Sequence, residues 1–400
     1  MNILYVSSLC SKVEYKNIFS NSSIKPVLQA QKYHRLMVEG FENNDGVNIT
    51  MLSAIPMSRD INKKVFFKGK NEVVNRSKYK YIPFINLPII RQITLFINAF
   101  KDTLIWGRKN KNGVIICDIL NVSIASASCL ASKILKRKNV GIVTDVPGYL
   151  ADNSKTQPNC IKRKFNKIKT GINTFIMNRF DSYVFLTEQM NDLINKKNKD
   201  YVVIEGQVDI TMKFIDNDFN SKYKEKVCIY AGSLKKIYGI KTLTEAFVKA
   251  NVENSELHIY GSGNFEDDLI EICKKFNNIK YFGVRDNDFV VKEQLKATLL
   301  VNPRPTTEEY TKYSFPSKNM EYMVSGTPTL TTKLSGMPKE YYDYVYLIED
   351  ESLEGITDTI RKVLNTSRDE LHRRGLKAKA FVLCKKNNVQ QARKIIDMIK

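Results

Sequence analysis

Short apolar runs alternate with amphipathic segments along the whole chain, and this alternation limits the possible folds more than any other feature. The runs are rich in β-branched residues, which is typical of strands buried on both faces of a parallel sheet. They lie at 2–7, 47–52, 114–118, 141–145, 183–186 and 201–205, and again at 227–231, 257–261, 279–283, 298–303, 328–332 and 345–348. Helical patterns lie between most of them, at 26–40, 122–136, 187–196, 240–250, 265–275, 289–296 and 316–324. The sequence therefore predicts an α/β protein with two doubly wound, Rossmann-like domains.

The length of 400 residues also suits two such domains better than one core. We predict an N-terminal domain at 1–205, a hinge at 206–224 and a C-terminal domain at 225–382. Residues 383–400 are expected to form a C-terminal helix that crosses back to the N-terminal domain. Ligands bind beyond the carboxyl ends of parallel strands, so a cleft between the two domains is the expected substrate site.

Basic residues are concentrated in the first half of the chain. Residues 1–200 contain 32 Lys and Arg against 14 Asp and Glu, a net charge of +18, whereas residues 201–400 contain 31 against 28, a net charge of +3. Basic and apolar residues mix at 62–92 and 162–179, and such segments are typical of binding to an anionic membrane surface. A solvated helix face is the plainer interpretation. Nucleic acid is not an expected partner, since no recognised nucleic-acid-binding module is present.

Metal and disulfide chemistry are not expected. The seven cysteines are scattered, and the three histidines lie far apart and away from the proposed cleft loops. The triplets Asp216–Asp218 and Asp286–Asp288 are interpreted as loop and capping residues rather than metal ligands. No apolar run is long enough to span a membrane, and the N-terminus lacks the features of a signal peptide. A cytoplasmic location without a cofactor is the expectation.

Glycines follow two of the predicted strands of the second half. Gly232 opens a turn in "YAGSLKKIYGI", 230–240, whose backbone amides and Lys235 could bind phosphate. An ordinary strand-to-helix turn remains the simpler interpretation. The segment "IYGSGNFEDDL", 259–269, is interpreted as a tight turn before a helix, because a lone G-x-G is a weak signal.

A third segment, 302–328, leads from a strand through a charged loop into a helix. The loop carries Arg304, and the helix carries Lys318 in its first turn. The helix dipole opposes a cation at that position unless an anion lies there. Glu321, one turn further on, is placed to accept hydrogen bonds from sugar hydroxyls. The alternative is a solvated polar helix face.

These motifs resemble a known family. The order and spacing of "AGSLKKIYGI", "LHIYGSG", "IKYFGVR" and "FPSKNMEYMVSGTPTLTT" resemble the family 4 retaining glycosyltransferases, in the bacterial branch that assembles capsule, O-antigen or exopolysaccharide. The resemblance implies the GT-B fold. It also implies transfer of a sugar from a nucleotide diphosphate sugar, with retained configuration and without an essential metal.

The resemblance further implies roles for residues of the 316–321 helix. Glu321 corresponds to the family's second acid, which holds the ribose hydroxyls of the nucleotide. The helix start, with Ser317 and Lys318, would cap the diphosphate. The loops around Arg285 and 302–312 would select the base and the sugar.

Other family positions carry different residues here. The family's two phosphate-binding cations fall at Ser233 and Tyr238, and its first acid falls at Tyr313. We therefore expect Lys235 and Arg304 to supply the positive charge, beside the turn of Gly232 and Ser233. Glu308 and Glu309, just upstream of Tyr313, are the candidates to replace the missing acid.

One candidate residue lies in the first half. "TDVPGYL", 144–150, ends a predicted strand, at a position where the family often carries a histidine close to the reacting centre. Asp145 is the nearest polar group. It either orients the acceptor or the sugar, or it caps a turn before Pro147.

The predicted function is a glycosyltransferase on the inner face of the cell membrane. Its partners would be a nucleotide diphosphate sugar, bound by the second domain, and a saccharide acceptor linked to polyprenyl diphosphate, bound by the first. One alternative is a non-catalytic subunit of the same fold that stabilises an active glycosyltransferase. Another is a sugar-nucleotide epimerase of the same architecture.

Overall fold

The structure is a computed structural model, and it describes residues 1–19, 28–59, 61–146, 171 and 173–400. The chain divides into two compact units. One consists of Met1–Glu205 with Asn388–Lys400, and the other of Gly206–Asn387. Each unit has its own mostly or wholly parallel sheet with helices between the strands. The prediction of an α/β chain with two Rossmann-like halves is thereby confirmed.

The first unit contains an eight-stranded sheet in the order β10-β9-β8-β7-β1-β2-β5-β4, in which only the β4–β5 pair is antiparallel. A two-stranded antiparallel ribbon, β3–β6, accompanies it. The strands are β1 (Asn2–Ser7), β2 (Asn48–Ser53), β3 (Phe66–Phe67), β4 (Lys70–Val74), β5 (Ser77–Tyr81), β6 (Phe84–Ile85), β7 (Val114–Asp118), β8 (Asn139–Val143), β9 (Ser182–Phe185) and β10 (Tyr201–Val203). The helices before residue 205 are α1 (Lys12–Phe19), α2 (Leu28–Glu42), α3 (Ile90–Lys109), α4 (Val122–Ile134) and α5 (Glu188–Ile194).

The second unit contains a six-stranded, wholly parallel sheet in the order β13-β12-β11-β14-β15-β16. Its strands are β11 (Lys226–Ala231), β12 (Ser255–Tyr260), β13 (Ile279–Tyr281), β14 (Leu299–Asn302), β15 (Thr329–Thr332) and β16 (Tyr346–Ile348). Its helices are α6 (Ile240–Ala250), α7 (Glu266–Lys275), α8 (Asn287–Lys296), α9 (Ser317–Ser325), α10 (Leu353–Leu364) and α11 (Arg368–Lys385). The strand order reverses between β11 and β14, which is the topological switch point of a doubly wound sheet.

Burial explains why the apolar runs became strands and the amphipathic segments became helices. Every residue of β7, β8, β14 and β15 is buried. Helix α10 buries the face that carries Ile356 and Ile360 in the core of the second sheet. Its start is fixed by Ser352, whose Oγ accepts a hydrogen bond from Gly355 N at 3.0 Å. Each apolar side chain of this size stabilises the fold by about 1.5–3 kcal/mol when fully buried.

Residues 62–92 differ from the basic amphipathic segment that the sequence suggested. Most of this stretch forms β3, β4, β5 and β6, and only its end belongs to α3. The pattern of β5 has period two, so that Tyr79 and Tyr81 point into the core while Lys78 is exposed. The other basic segment, 162–179, lies outside the described residues up to 170 and at 172.

The bounds of the C-terminal elements and of the predicted hinge differ from the predicted ones. Helix α11 continues past residue 382 to Lys385, and α12 (Asn388–Ile399) follows as a separate helix that belongs to the first unit. Residues 206–224 belong to the second unit. They are held there by hydrogen bonds from Asn217 Nδ2 to Ser325 O and Thr327 Oγ1, both of 2.9 Å. Among the described residues, no helix combines the length and the apolar content needed to span a bilayer.

Candidate functional site

The switch point of the second sheet brings two of the predicted loops side by side. Strands β11 and β14 are paired, with Cys228 opposite Leu299. Gly232 follows the first strand, and Arg304 follows the second after one proline. Ligands of doubly wound sheets bind beyond the carboxyl ends of the strands at such a point. The candidate site is therefore built from these two loops and the elements packed beneath them.

The turn after β11 depends on two glycines in close contact. Gly232 has a φ of 150°, and Gly261, after β12, has a φ of 133°. A Cβ added to Gly261 would lie 1.8 Å from the carbonyl oxygen of Gly232. The segment 259–269, which the sequence suggested was a tight turn before a helix, thus also supports the Gly232 turn through backbone packing.

Lys318 reaches the Gly232 turn from the first turn of α9. Its Nζ donates a hydrogen bond to Tyr230 Oη at 2.7 Å, and that hydroxyl donates to the carbonyl oxygen of Ser233 at 2.8 Å. The ammonium also lies 4.1 Å from the centre of the Tyr230 ring. A Cβ on Gly232 would come within 2.1 Å of Nζ, so the lysine lies directly against the turn.

The environment of Lys318 disfavours its charged form. Burial, with a smaller contribution from the nearby guanidinium of Arg304, lowers the pKa of Lys318 to about 7, against the opposite effect of Glu321. A lysine with this pKa gives up its proton much more readily than an exposed lysine does. An anion placed against it would favour the charged form and raise its pKa.

Two further cations lie around the ring of Tyr238. The guanidinium of Arg304 is 4.6 Å from the centre of this ring, and Lys235 Nζ is 5.7 Å from it. Arg304 Nε is buried and has no hydrogen-bond partner among the described residues. Lys236 differs from its neighbour, because its Nζ pairs with Asp268 at 2.5 Å. The structure thus places Lys235 and Arg304, the two proposed replacement cations, around the same ring.

Helix α9 is fixed against the ends of both central strands. Tyr322 Oη accepts a hydrogen bond from Ala231 N at 2.9 Å, and Asn302 Nδ2 donates to Asn319 Oδ1 at 2.8 Å. The phenol of Tyr322 therefore supports the end of β11 instead of facing a ligand. Ser317 and Glu321 are half-buried on the same helix, and the effect of Glu321 on the Lys318 pKa places its carboxylate near that ammonium.

The loop between β14 and α9 contains polar atoms that the sequence did not single out. Tyr310 Oη and Ser314 Oγ are buried without a hydrogen-bond partner in the described part of the chain. Buried polar atoms are nearly always paired, so these two call for a ligand or water. Burial raises the pKa of Tyr310; Arg304 lowers it, and Tyr238 and Glu308 raise it further. Glu309 is exposed at the start of a 3₁₀ turn.

Arg285 lies away from this group. It follows β13, which is separated from β11 by β12, and it is exposed. Its guanidinium is 5.9 Å from the ring of Phe289. Arg304 follows β14, which lies three places from β13 in the sheet order, so Arg285 is at a different part of the sheet edge.

Asp145 belongs to the first unit and follows β8. Its Oδ1 accepts a hydrogen bond from Val146 N at 2.8 Å. Burial raises the pKa of Asp145, and the bond from Val146 partly offsets that effect. The turn geometry fits the capping interpretation, while partial burial of a carboxyl fits a functional one. Residues 147–150, the rest of the motif, lie outside the described residues.

A buried histidine lies at the carboxyl edge of the first sheet. His34 Nδ1 is 2.6 Å from Tyr5 Oη, and His34 Nε2 is 3.4 Å from Oδ2 of Asp118, the last residue of β7. All three residues are buried. No local pattern marks this group, because its members come from three elements that are distant in the sequence.

Comparison with known proteins identifies the fold. Residues 211–381 match the family model of glycosyl transferases group 1, and this match covers most of the second unit. The sucrose-phosphate synthase of Thermosynechococcus elongatus superimposes over 100% of this chain and 98% of its own, with 12% identity and a TM-score of 0.63. The chain has the GT-B fold. Within that fold, residues 211–381 of the second unit are similar to the glycosyl transferases group 1 family.

Two other GT-B structures cover the chain equally well. The lipopolysaccharide outer core galactosyltransferase WaaB has 15% identity and a TM-score of 0.62, and it matches 100% of this chain and 99% of its own. The Anabaena protein HepE, solved with UDP, has 12% identity and a TM-score of 0.60 over the same shares. No curated protein sequence matches the chain. At these identities, the structural likeness establishes the GT-B fold and leaves the substrates open.

Proposed function

We propose that this protein is a retaining glycosyltransferase that transfers a sugar from a nucleotide diphosphate sugar to a saccharide acceptor during the assembly of a bacterial surface polysaccharide. The observation that carries the proposal is the contact of Lys318 with Tyr230 beneath the Gly232 turn. A partly neutral lysine at a switch point, beside the start of a helix, is suited to receive a diphosphate.

The surrounding residues support a diphosphate as the bound group. Arg304 and Lys235 add positive charge around Tyr238. Arg304 Nε, buried and without a partner in the described residues, is a hydrogen-bond donor that a phosphate oxygen would satisfy. The carboxylate of Glu321 would accept the ribose hydroxyls on the same face of α9.

Catalysis would depend on positioning and on charge stabilisation. When the bond between the anomeric carbon and the diphosphate breaks, negative charge develops on the leaving phosphate. Lys318, Arg304 and the start of α9 would stabilise that charge more strongly than the charge of the bound donor. The acceptor hydroxyl would attack from the face on which the diphosphate leaves, and the departing phosphate would take its proton. This route retains the configuration and requires neither a metal nor a covalent intermediate.

The acceptor and the cellular location form the second part of the proposal. We expect the first unit to bind the acceptor, with Asp145 orienting it, because this part of the chain carries the excess of positive charge. A saccharide linked to polyprenyl diphosphate would supply a matching anion. Such an acceptor is embedded in the membrane, so the protein would work peripherally on its inner face.

The first test is the thermal stability of the purified protein with UDP-, GDP-, ADP- and CMP-sugars, without added metal. A ligand that binds only the folded state raises the melting temperature, and at a concentration of 100 Kd it stabilises by about 2.7 kcal/mol. We expect one nucleotide class to stabilise the protein and to support sugar transfer. If no nucleotide sugar binds, the donor site is wrong, and the protein is better explained as a non-catalytic subunit.

The Glu321→Ala variant is expected to lose donor affinity or turnover by about 10²-fold, as for the loss of an oriented hydrogen-bonding group. Steady-state kinetics with the identified donor would measure this loss. Glu321→Gln is the matched variant, because it keeps an acceptor oxygen and should lose less. Unchanged kinetics in Glu321→Ala would remove this residue from the site.

A further inference from the structure

The first unit exposes a row of large apolar side chains at the start of α3. Ile93 and Ile97 are spaced by four residues and therefore lie on one face of the helix, and Ile89 immediately precedes its first residue; the three residues are 52%, 56% and 71% exposed. Ile90, Val65 and Phe66 are also exposed. We call these six residues the isoleucine face. A group of exposed large apolar side chains on neighbouring elements is a candidate for contact with another apolar phase.

The two parts of the isoleucine face are joined by the backbone. Phe66 pairs with Ile85 in the β3–β6 ribbon, and Asn86 N donates to Val65 O at 2.6 Å. Ile85 N in turn donates to Thr94 Oγ1, in the first turns of α3, at 3.2 Å. The ribbon and the start of α3 are thus held next to each other by hydrogen bonds.

The backbone of Ile89 is strained. Its φ is 65°, a region that β-branched residues rarely adopt. Because this residue is 71% exposed, packing against the described residues does little to offset the strain. Strain of this sort tends to be kept where a residue serves an external contact.

The charge around the isoleucine face is positive. Residues 61–100 contain eight Lys and Arg and one acid, a net charge of +7. Lys63, Lys64 and Lys68 flank Val65 and Phe66 and are exposed. The acid, Glu72, accepts hydrogen bonds from Ser11 Oγ at 3.0 Å and from Tyr81 Oη at 2.7 Å. The face therefore combines apolar side chains with lysines whose charge is not neutralised by acids from the same stretch.

We infer that the isoleucine face docks on an anionic lipid bilayer, with Ile89, Ile93, Ile97 and Phe66 entering the interface and the neighbouring lysines meeting lipid phosphates. Apolar side chains surrounded by lysines match the interface between acyl chains and anionic headgroups. This identifies the surface for the membrane location proposed above, but it depends only on the first unit and would hold for a chain without transferase activity.

The test is cosedimentation with vesicles of phosphatidylcholine containing phosphatidylglycerol, compared with phosphatidylcholine alone, at low and high salt. The wild-type protein is expected to bind the anionic vesicles and to bind less at high salt. The double variant Ile93→Glu/Ile97→Glu should bind at least about tenfold more weakly, because two charges would have to enter the interface. An unchanged melting temperature, together with an unchanged rise of the melting temperature when the donor is added, would show that this variant is folded.

The matched control is Leu130→Glu/Ile134→Glu on α4. These side chains are 48% and 59% exposed and have the same four-residue spacing, so the change in charge and exposure is equal. The control should bind vesicles like the wild type. An equal loss in both variants, or a wild-type protein that ignores anionic vesicles at low salt, would overturn the inference. A wild-type dimer that the Ile93→Glu/Ile97→Glu variant converts to a monomer, without vesicle binding, would assign the face to a second copy of the chain.

Discussion

Replacing Lys318 with methionine is expected to lower kcat/KM for the donor by about 10²–10³-fold, because the cation nearest to the Gly232 turn would no longer stabilise the leaving diphosphate. Methionine keeps much of the length and the apolar stem of lysine, so packing against Gly232 and Tyr230 should change little. The measurement is steady-state kinetics with the donor class found by thermal shift. A loss of less than about threefold would show that Lys318 does not face the phosphates.

The pH dependence gives a second, independent readout for Lys318. Since its folded pKa is about 7, donor binding above pH 7 requires the lysine to take up a proton. The Kd of a nucleotide sugar should therefore rise by up to about tenfold per pH unit above pH 7. In Lys318→Met, the Kd should not change over the same range. A wild-type Kd that is constant from about pH 6 to about pH 8.5 would contradict this role.

The same pKa predicts how the stability of the ligand-free protein changes with pH. The folded pKa of Lys318 lies below that of an unfolded lysine, so the unfolded chain binds more protons between about pH 7 and about pH 10. The contribution of this residue to the free energy of unfolding therefore rises with pH across that window. Lys318→Met should lack this contribution and be at least as stable as the wild type near pH 7, so a loss of activity cannot be attributed to unfolding.

Replacing Gly261 with alanine is expected to destabilise the second unit by about 3 kcal/mol or more. The new Cβ would lie 1.8 Å from the carbonyl oxygen of Gly232, and the residue would also be held at a φ of 133°. The clash can be relieved only if one backbone segment moves. The loss of stability therefore has two causes, overpacking and conformational strain. Donor binding should weaken as well, because the segment that moves carries the Gly232 turn. Chemical denaturation and the donor-induced thermal shift would measure the two effects.

The Gly283→Ala variant, in the same unit, separates the effect of conformational strain from that of the steric clash. Gly283 has a φ of 67°, but no atom lies within 4 Å of an added Cβ. The Gly283→Ala variant should lower the free energy of unfolding by about 1–2 kcal/mol, the amount expected from conformational strain alone, and it should still bind the donor. If Gly261→Ala costs no more than Gly283→Ala, the close approach to Gly232 does not constrain the site.

Much of the secondary structure followed from local patterns. The segments 2–7, 114–118 and 240–250 were predicted with the bounds that β1, β7 and α6 have in the structure. An apolar run that is short and β-branched has few alternatives to a buried strand. The structure of the 62–92 segment was harder to predict, because basic residues alternate there with aromatic ones. In the structure, the alternating residues form strand β5, and the exposed apolar residues lie mainly on α3.

The candidate site was only partly predictable. Gly232 and Lys318 were selected because a glycine after a strand and a cation in the first turn of a helix are local signals, whereas Arg304 was selected as a substitute for the cations that the resemblance implies. Tyr310 and Ser314 were missed, since a polar residue in a loop gives no sign of being buried without a partner. Glu309 and Arg285 were selected by the sequence, but the structure places one at the exposed surface and the other beyond β12.

The sequence by itself determined the order of strands and helices and the positions of the turns, because these depend on hydrophobic period and on glycine and proline at specific positions. Only the tertiary structure decided which side chains meet. Lys318 and Tyr230 are 88 residues apart, and they touch because β11 and the start of α9 lie together at the switch point. The lowered pKa of Lys318 is likewise a property of that assembled environment, since burial and the charge of Arg304 act on it only after the chain has folded.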